Sequence, residues 1–478
     1  MAFKDNREFI QALDKTNDVV HIKDEVDWDL EVGAIIRRTN ERRGQAVFFE
    51  NIKDYPKGYR IFGAPLATYR RLAIAMGLDP DTSVRTLHEE YDRRMKNPIK
   101  PVVVKTGPCK ENILLGDDID LYRLPAPTIH DGDGGRYIGT WHLVINNDPE
   151  SDWSNWGLYR VVIHDKRHLT GLIVHEINQS GVIFFNKYVP KHKPMPVAIA
   201  IGPDPLCVAV AADPIAMNLS EVDYAGGLRQ SPVEMVKCET IDLMVPAYSE
   251  IVIEGEMLPD VLVQEGPFGE YPGYRTQSMK DRHVMRVTAI THRNDPILTM
   301  TNMGVPADEG ALIGTVTTAI RLKERLKRKG IPVVDVYLPP DTASHIAYIS
   351  VAKYHAPDVA VQIREAMIAR RSQVPKAIVV DDDVDVFDVG QVIHSFDTKC
   401  HPIRGITARA HESAIDLTPF LSPEERFKLH GATAVFDCTW PVDWSVDFDR
   451  PLRCSFNEVY PQEIKDKVLK NWGRYGLK

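Results

Sequence analysis

The apolar pattern of this 478-residue chain changes period at Ala311, and that change divides what the chain can build. Before it, apolar stretches are short and broken by Pro and Gly. Over residues 311–329 they recur at helical spacing, with basic residues in the last turn and Gly330 just beyond, the signals that close a helix. Beyond it, residues 333–338 read as a strand, 359–371 as a helix and 377–380 as a strand running into Asp381-Asp382-Asp383. Strand, helix and strand at this spacing predict an α/β domain. A chain of this length exceeds one hydrophobic core, so two or three domains are expected.

The stretch before Ala311 divides again. Residues 9–13 and 30–38 have helical spacing, and 19–22, 46–49 and 59–63 read as strands, which predicts a small α/β lobe over 1–100. From Pro101 onward, turn signals such as Leu124-Pro125-Ala126-Pro127-Thr128 and Asp131-Gly132-Asp133-Gly134-Gly135 separate short strand patterns at 140–146, 159–163, 169–174 and 197–202. The β pattern continues through 250–255 and 283–291, so residues 101–305 are expected to form a barrel or sandwich. Residues 306–478 form the C-terminal α/β domain. It closes with an amphipathic helix over 463–475 that carries Ile464, Val468, Leu469 and Trp472 on one side, suited to docking on a neighbour. The expected class is therefore α/β (α+β).

A formal charge of −9 leaves no basic surplus to neutralise phosphates, which argues against nucleic acid as a partner. No stretch reaches the ~18 apolar residues of a membrane span. The first residues lack the apolar core of a secretory signal, and the six cysteines are scattered without a Cys-x-x-Cys pair. Free thiols of this kind suit a reducing compartment, and a cytoplasmic location is expected.

Chemistry concentrates in Gln264-Glu265-Gly266-Pro267-Phe268-Gly269-Glu270-Tyr271-Pro272-Gly273-Tyr274. Pro removes donors and Gly loosens the backbone, so this run is expected to be a shaped loop holding two carboxylates in fixed relation. Two acids in different surroundings can divide into one ionised and one protonated group, the basis of acid–base catalysis. Taken alone, such a run more often reads as a solvated surface turn.

Several segments together resemble the UbiD family of decarboxylases, which use prenylated flavin mononucleotide. In chain order they are Thr106-Gly107-Pro108-Cys109-Lys110-Glu111-Asn112, Asp133-Gly134-Gly135-Arg136-Tyr137-Ile138, Asn155-Trp156-Gly157-Leu158-Tyr159-Arg160, Glu265-Gly266-Pro267-Phe268-Gly269-Glu270 and Asp381-Asp382-Asp383-Val384-Asp385-Val386. The family includes ferulic acid decarboxylase and polyprenyl-hydroxybenzoate decarboxylase. The resemblance implies that residues 101–305 form a split-barrel flavin-binding domain. It implies a catalytic set of Arg160, Glu265 and Glu270, with Glu270 as proton donor. It also implies a divalent metal, typically Mn2+, bridging to the flavin phosphate, with K+ nearby.

By the same resemblance Asn155 and Glu221 are metal ligands. The remaining ligand position, a His in the family, falls on Asn178 or Gln179, with His175 as an offset alternative. Trp153 would contribute its carbonyl to the K+ site. Thr140 and Leu158 would line the flavin, Ala211, Ala212, Asp213 and Pro214 would approach it, and Arg370 or Arg371 would reach its phosphate. The implied partners are an aromatic acid and CO2, a flavin prenyltransferase that supplies the cofactor, and further copies of the chain in a homodimer or hexamer.

The stretch from Gly304 to Gly314 has the loop length of benzoate-type members, which favours an aromatic or heteroaromatic, even phenolic, acid over a cinnamic-type one. Two readings of other classes are an FMN-dependent oxidoreductase and a non-catalytic carboxylase subunit. The chain lacks the Gly-rich dinucleotide fingerprint, and it retains all three residues of the catalytic set.

Overall fold

The computed structural model describes residues 3–173, 178–275, 279–353, 355–368, 374–411, 413–445 and 449–477. The expected α/β class holds, and the central region is one curled half-barrel sheet.

The chain opens with helix Asn6–Thr16. Its first turn is capped by Asp5, whose carboxylate accepts the Glu8 N–H, and it ends at Asn17 in the left-handed conformation. Phe9, Ile10 and Leu13, at helical spacing, face inward. Strands Val19–Ile22, Ala46–Phe49 and Arg60–Gly63 follow, and a fourth strand of the same sheet, Ile297–Met300, arrives from far along the chain to pair in parallel with Arg60–Gly63. Ion pairs bind this lobe to the central sheet. Arg7 grips both oxygens of Glu250 at 2.7 and 2.8 Å, and Arg293 joins Asp5 at 2.7 Å.

The central sheet runs in the order Tyr137–Gly139, Val161–Asp165, His168–Thr170, Lys280–His292, Ile251–Glu265, Met195–Ile201, His142–Asn147 and Ser154–Gly157, with Asn112–Leu115 also on Lys280–His292. Its spine is the antiparallel pair Ile251–Glu265 and Lys280–His292, with Ile251 opposite His292 and Glu265 opposite Lys280. Pro259 sits where the register shifts between Leu258 and Leu262, a place where its missing N–H costs no ladder bond. The strand expected over 250–255 therefore runs ten residues further. Its far end is polar and exposed, but Lys280–His292 completes the ladder beside it. Glu265 is thus the last residue of a strand rather than part of a free loop, and only Glu270 lies in the turn beyond. Ile199, Ile201, Ile251, Ile253, Met257, Met285 and Ile290 fill the inner face.

Helix Glu309–Arg328 leads into the C-terminal domain. It starts two residues earlier than its apolar period predicts, because Asp308 caps it by accepting the Ala311 N–H at 2.9 Å. The sheet that follows is ordered Val333–Tyr337, Ile346–Val351, Lys376–Asp381, Gly431–Cys438, Ile406–His411, with the three inner strands parallel. Helix Val359–Met367 packs on it around Val359 and Ile363. Helix Gln462–Asn471 closes the chain with no buried residue, its Ile464 and Leu469 exposed. Among the described residues no helix is long and apolar enough to cross a membrane.

Candidate active site

Three elements of the central sheet deliver the charged cluster. Arg160 precedes strand Val161–Asp165, Glu265 ends strand Ile251–Glu265, and Glu270 stands in the turn after it. Arg160 engages Glu265 through a two-pronged fork, Nε to Oε1 at 2.8 Å and Nη2 to Oε2 at 3.0 Å. Its remaining Nη1 donates to Glu270 Oε1. Both acids are almost fully buried, at 4% and 6% exposure. The Tyr137 hydroxyl adds a bond to Glu265 Oε1 at 3.1 Å, and Arg282 Nε stands 3.9 Å from Oε2. Phe268 lies beneath the guanidinium, 5.3 Å from ring centre to Cζ.

These neighbours separate the two carboxyls. Burial pushes Glu265 up, but the bonds and charge of Arg160, with help from Tyr137 and Arg282, outweigh it and hold the group below its ordinary value. Burial also pushes Glu270 up. There Arg160 offsets only part of the effect, and the charges of Glu265, Asp416 and Asp133 reinforce it, so Glu270 stays above the ordinary range. Burial works against the charge of Arg160, yet the Glu265 bond and both carboxylate charges keep it firmly protonated. The cluster therefore offers one fixed anion, one fixed cation and one acid that keeps its proton to higher pH than an exposed glutamate.

The backbone around the acids is tightly built. Gly266 adopts a φ of 97°, the left-handed region that Gly enters freely, at the point where the strand turns. Gly134 presses on the Gly266 carbonyl, leaving no room for a side chain, and donates its N–H to Pro267 O at 2.8 Å.

A second polar cluster is built on strand Ser154–Gly157, whose Asn155 lies five residues before Arg160. Asn155 Nδ2 donates to Ser180 Oγ at 2.8 Å and to Asn146 Oδ1 at 3.2 Å. Glu221, first residue of helix Glu221–Arg229, accepts the Trp156 N–H on Oε2 at 2.8 Å. The other oxygen of each, Asn155 Oδ1 and Glu221 Oε1, is buried without a hydrogen-bond partner. Burial pushes Glu221 up to about 7. Two orphaned oxygens in a buried site are the donor set a hard cation prefers, and they fit the metal expected from the sequence. Among the described residues no group of three or more His, Cys, Asp or Glu side chains converges on a metal position, so any cation here relies on amide oxygen.

The other expected residues are distributed around these clusters. Asn178 caps helix Gln179–Ile183 by accepting the Gly181 N–H at 2.6 Å, which occupies its oxygen. Gln179 donates Nε2 to Ile215 O at 2.6 Å, which leaves its amide oxygen to face elsewhere. Trp153 donates Nε1 to Leu219 O at 3.0 Å, and its carbonyl accepts the Asp148 N–H at 2.9 Å. Thr140 is buried and exchanges bonds with the backbone of Thr301, 2.9 Å as donor and 3.1 Å as acceptor. Leu158, between Asn155 and Arg160 in sequence, is half-buried against the core. Ala211 ends helix Pro205–Ala211, Ala212 caps it, and Asp213, beside Pro214, is paired with Arg321. His175, Arg370 and Arg371 lie outside the described residues.

Tyr137 and Arg282 are members of the cluster that the sequence did not single out. Tyr137 belongs to a segment already noted, Asp133 to Ile138, but nothing there marks its hydroxyl for Glu265. Arg282 lies just before the strand expected over 283–291, and only the pairing of its strand with Ile251–Glu265 brings it to the site.

Three family models match the chain in succession: the 3-octaprenyl-4-hydroxybenzoate carboxy-lyase (UbiD) N-terminal domain over residues 10–91, its Rift-related domain over 100–306 and its C-terminal domain over 311–438. Pyrrole-2-carboxylic acid decarboxylase of Pseudomonas aeruginosa is 32% identical, covering 99% of this chain and 98% of that protein. Ferulic acid decarboxylase 1 of Saccharomyces cerevisiae is 32% identical with the same coverage of each. Among solved structures, vanillic acid decarboxylase of Sedimentibacter hydroxybenzoicus in open form superimposes with a TM-score of 0.85 at 28% identity, covering 99% of this chain and 100% of that one. An evolved dimeric form of the UbiD-class enzyme HmfF from Pelotomaculum thermopropionicum, in complex with prenylated FMN, gives 0.80 at 27% identity, covering 96% and 100%.

Proposed function

This chain belongs to the UbiD family of carboxy-lyases, and on that premise we propose that it catalyses reversible non-oxidative decarboxylation of an aromatic or heteroaromatic acid with prenylated FMN. The observation that carries the reading is the unequal pair on Arg160: Glu265 held below the ordinary carboxyl range by a two-pronged bond, Glu270 held by one bond and pushed above that range by burial. When bound, prenylated FMN would supply an electron sink for decarboxylation. Arg160 holds charge at the site and orients both acids. Glu270 delivers its proton to the carbon that the carboxylate leaves, and is reprotonated for the next turnover. Phe268 and the buried strands around the cluster exclude water.

Asn155, Glu221 and the amide oxygen of Gln179 would hold a divalent cation, Mn2+ or a similar ion, which would supply positive charge for binding the anionic cofactor. Gln179 is favoured over Asn178, whose oxygen is committed to its helix cap. The Trp153 carbonyl would join a K+ site, Arg370 or Arg371 would reach the phosphate, and Thr140, Leu158 and residues 211–214 would border the flavin. The cofactor would come from a flavin prenyltransferase, and the exposed terminal helix would pair copies of the chain. The loop length between Gly304 and Gly314 favours a benzoate-type or heteroaromatic acid. A cinnamic-type acid is the second reading, supported by the likeness to ferulic acid decarboxylase.

The test is protein co-expressed with a flavin prenyltransferase and purified without oxygen. Released-cofactor mass and CO2 from a panel of benzoic, heteroaromatic and cinnamic acids are measured. Bound prenylated FMN with CO2 release is expected. Plain FMN, or none, with no CO2 from any acid overturns the proposal in favour of an oxidoreductase or a silent subunit.

A further inference from the structure

Three segments meet behind the turn that carries Glu270, and the imidazole of His130 touches all of them. Gly269, the residue before Glu270, lies against the ring: a Cβ added there would fall 2.5 Å from both Nδ1 and Cε1. On its own segment, His130 Nδ1 faces Asp133 Oδ2 at 3.1 Å, and the same oxygen accepts the His130 backbone N–H at 3.1 Å. On the opposite side, Nε2 meets Asn302 Oδ1 at 2.7 Å. Asn302 lies between strand Ile297–Met300 and helix Glu309–Arg328, the path from the central sheet into the C-terminal domain.

Chemistry fixes the direction of the Asn302 bond. Asn302 Nδ2 donates to Gly33 O at 2.7 Å, and a carbonyl can only accept. The amide therefore turns its nitrogen to Gly33 and its oxygen to His130, so the hydrogen must sit on Nε2. Turning the ring over would carry Nε2 away from the Asn302 oxygen and lose that bond. Arg37 anchors the far side of the arrangement, donating to Asn302 O at 2.9 Å. Thus the ring behind Gly269 is held by partners on two segments, while among the described residues Arg160 alone hydrogen-bonds the Glu270 carboxyl.

We propose that His130 is a positioning residue for Glu270: its ring, pinned between Asp133 and Asn302, sets the height of the Gly269–Glu270 backbone opposite Arg160. The inference rests on the proton-donor role proposed above for Glu270. A displacement of about 1 Å at such a group is enough to cost on the order of a hundredfold in rate. His130 touches no reacting atom. Its effect passes through the Gly269 contact, and this gives it a signature that a general loss of stability does not share.

The experiment is a double-mutant cycle of His130→Ala and Gly269→Ala on enzyme loaded with prenylated FMN, with kcat, KM, flavin absorbance and unfolding midpoint measured for each variant. Gly269 carries no positive φ, so alanine meets the ring rather than the backbone as its obstacle. Each single variant is expected to lose about tenfold or more in kcat with KM within about twofold. In the double variant the added methyl occupies space vacated by the ring, and kcat is expected to rise above that of either single. Should His130→Ala fail to fold, His130→Gln, which retains a donor for Asn302, takes its place and is expected to keep more activity than the alanine variants. Wild-type kcat in the His130 variants, or losses that simply multiply, overturns the proposal.

A structure of Gly269→Ala reads the same contact without activity. A shifted Glu270 turn beside an unmoved His130 supports the proposal, and a displaced ring beside an unmoved turn overturns it. If the wild-type protein releases no CO2 from any acid, the proposed function fails separately, and the positioning contact stands or falls on that structure alone.

Discussion

Glu265 and Glu270 are identical side chains, and their neighbours alone divide their roles. Replacing Glu270 with Gln removes the transferable proton and changes little else in volume. Turnover is expected to fall by at least about a thousandfold while flavin absorbance and unfolding midpoint stay near wild type, which CO2 release and visible spectra would check. The pH dependence has a definite sign. Proton donation needs protonated Glu270, whose value is raised, so kcat falls as pH climbs through that raised value, above where an exposed glutamate would titrate. Glu265→Gln removes a neighbouring negative charge and leaves the whole attraction of Arg160 to Glu270. The alkaline limb of its residual activity should therefore move to lower pH, and a limb that moves upward would remove Arg160 as the controlling charge. The sequence made the two acids and Arg160 legible through their motifs. Tyr137 and Arg282 were not, because the Tyr137 hydroxyl meets Glu265 from 128 residues away in sequence, and Arg282 reaches it only because its strand pairs back on Ile251–Glu265.

Elements were legible where period and cap agreed. Residues 46–49 are recovered as Ala46–Phe49, whose side chains are all buried, and the long helix is displaced only by its Asp308 cap. The hairpin arm after residue 255 was hidden, since a partner strand rather than apolar alternation keeps its polar end extended. The start of helix Glu309–Arg328 carries a measurable load. Glu309 is wholly buried, accepts the Leu66 N–H at 3.3 Å and the Thr301 hydroxyl, and is pushed by burial to about 7. The folded state therefore holds this proton well above the ordinary value of 4.5, where the unfolded chain has lost it. Through this group stability is greatest below pH ~4.5 and declines as pH rises towards ~7, by up to about 1.4 kcal/mol per pH unit. Glu309→Gln should flatten that decline in denaturant unfolding measured from pH 5 to 8. An unchanged slope would show that the acid ionises freely in the fold.

At the scale of the whole molecule, the lobes are tied by buried charge as well as by sheet. Glu250 is fully buried and is met by Arg7 at 2.7 Å and Arg293 at 3.3 Å. Glu250→Ala would leave Arg7 without its paired anion and Arg293 with Asp5 alone, at a cost of about 3 kcal/mol. Denaturant unfolding should show that loss, with the N-terminal lobe becoming the first region to exchange its amide hydrogens. A variant as stable as wild type would mean that solvent reaches the pair. The change of period at Ala311 was legible as helix Glu309–Arg328, but the interleaving of strands was not, because nothing in the local pattern of Ile297–Met300 says whose sheet it completes.

That strand gives the chain a history as well as a shape. Strand Arg60–Gly63 leaves the ribosome with one edge bare, and its neighbour Ile297–Met300 follows only after the entire central sheet has been made. At translation rates of roughly 5–20 residues per second, the edge waits some tens of seconds for its partner. The first lobe is thus completed by the last strand of the second. A nascent chain that stalls within the central sheet would carry an open template for mispairing, and the finished fold records, in one parallel strand, that the central sheet had to be synthesised before the first lobe could close.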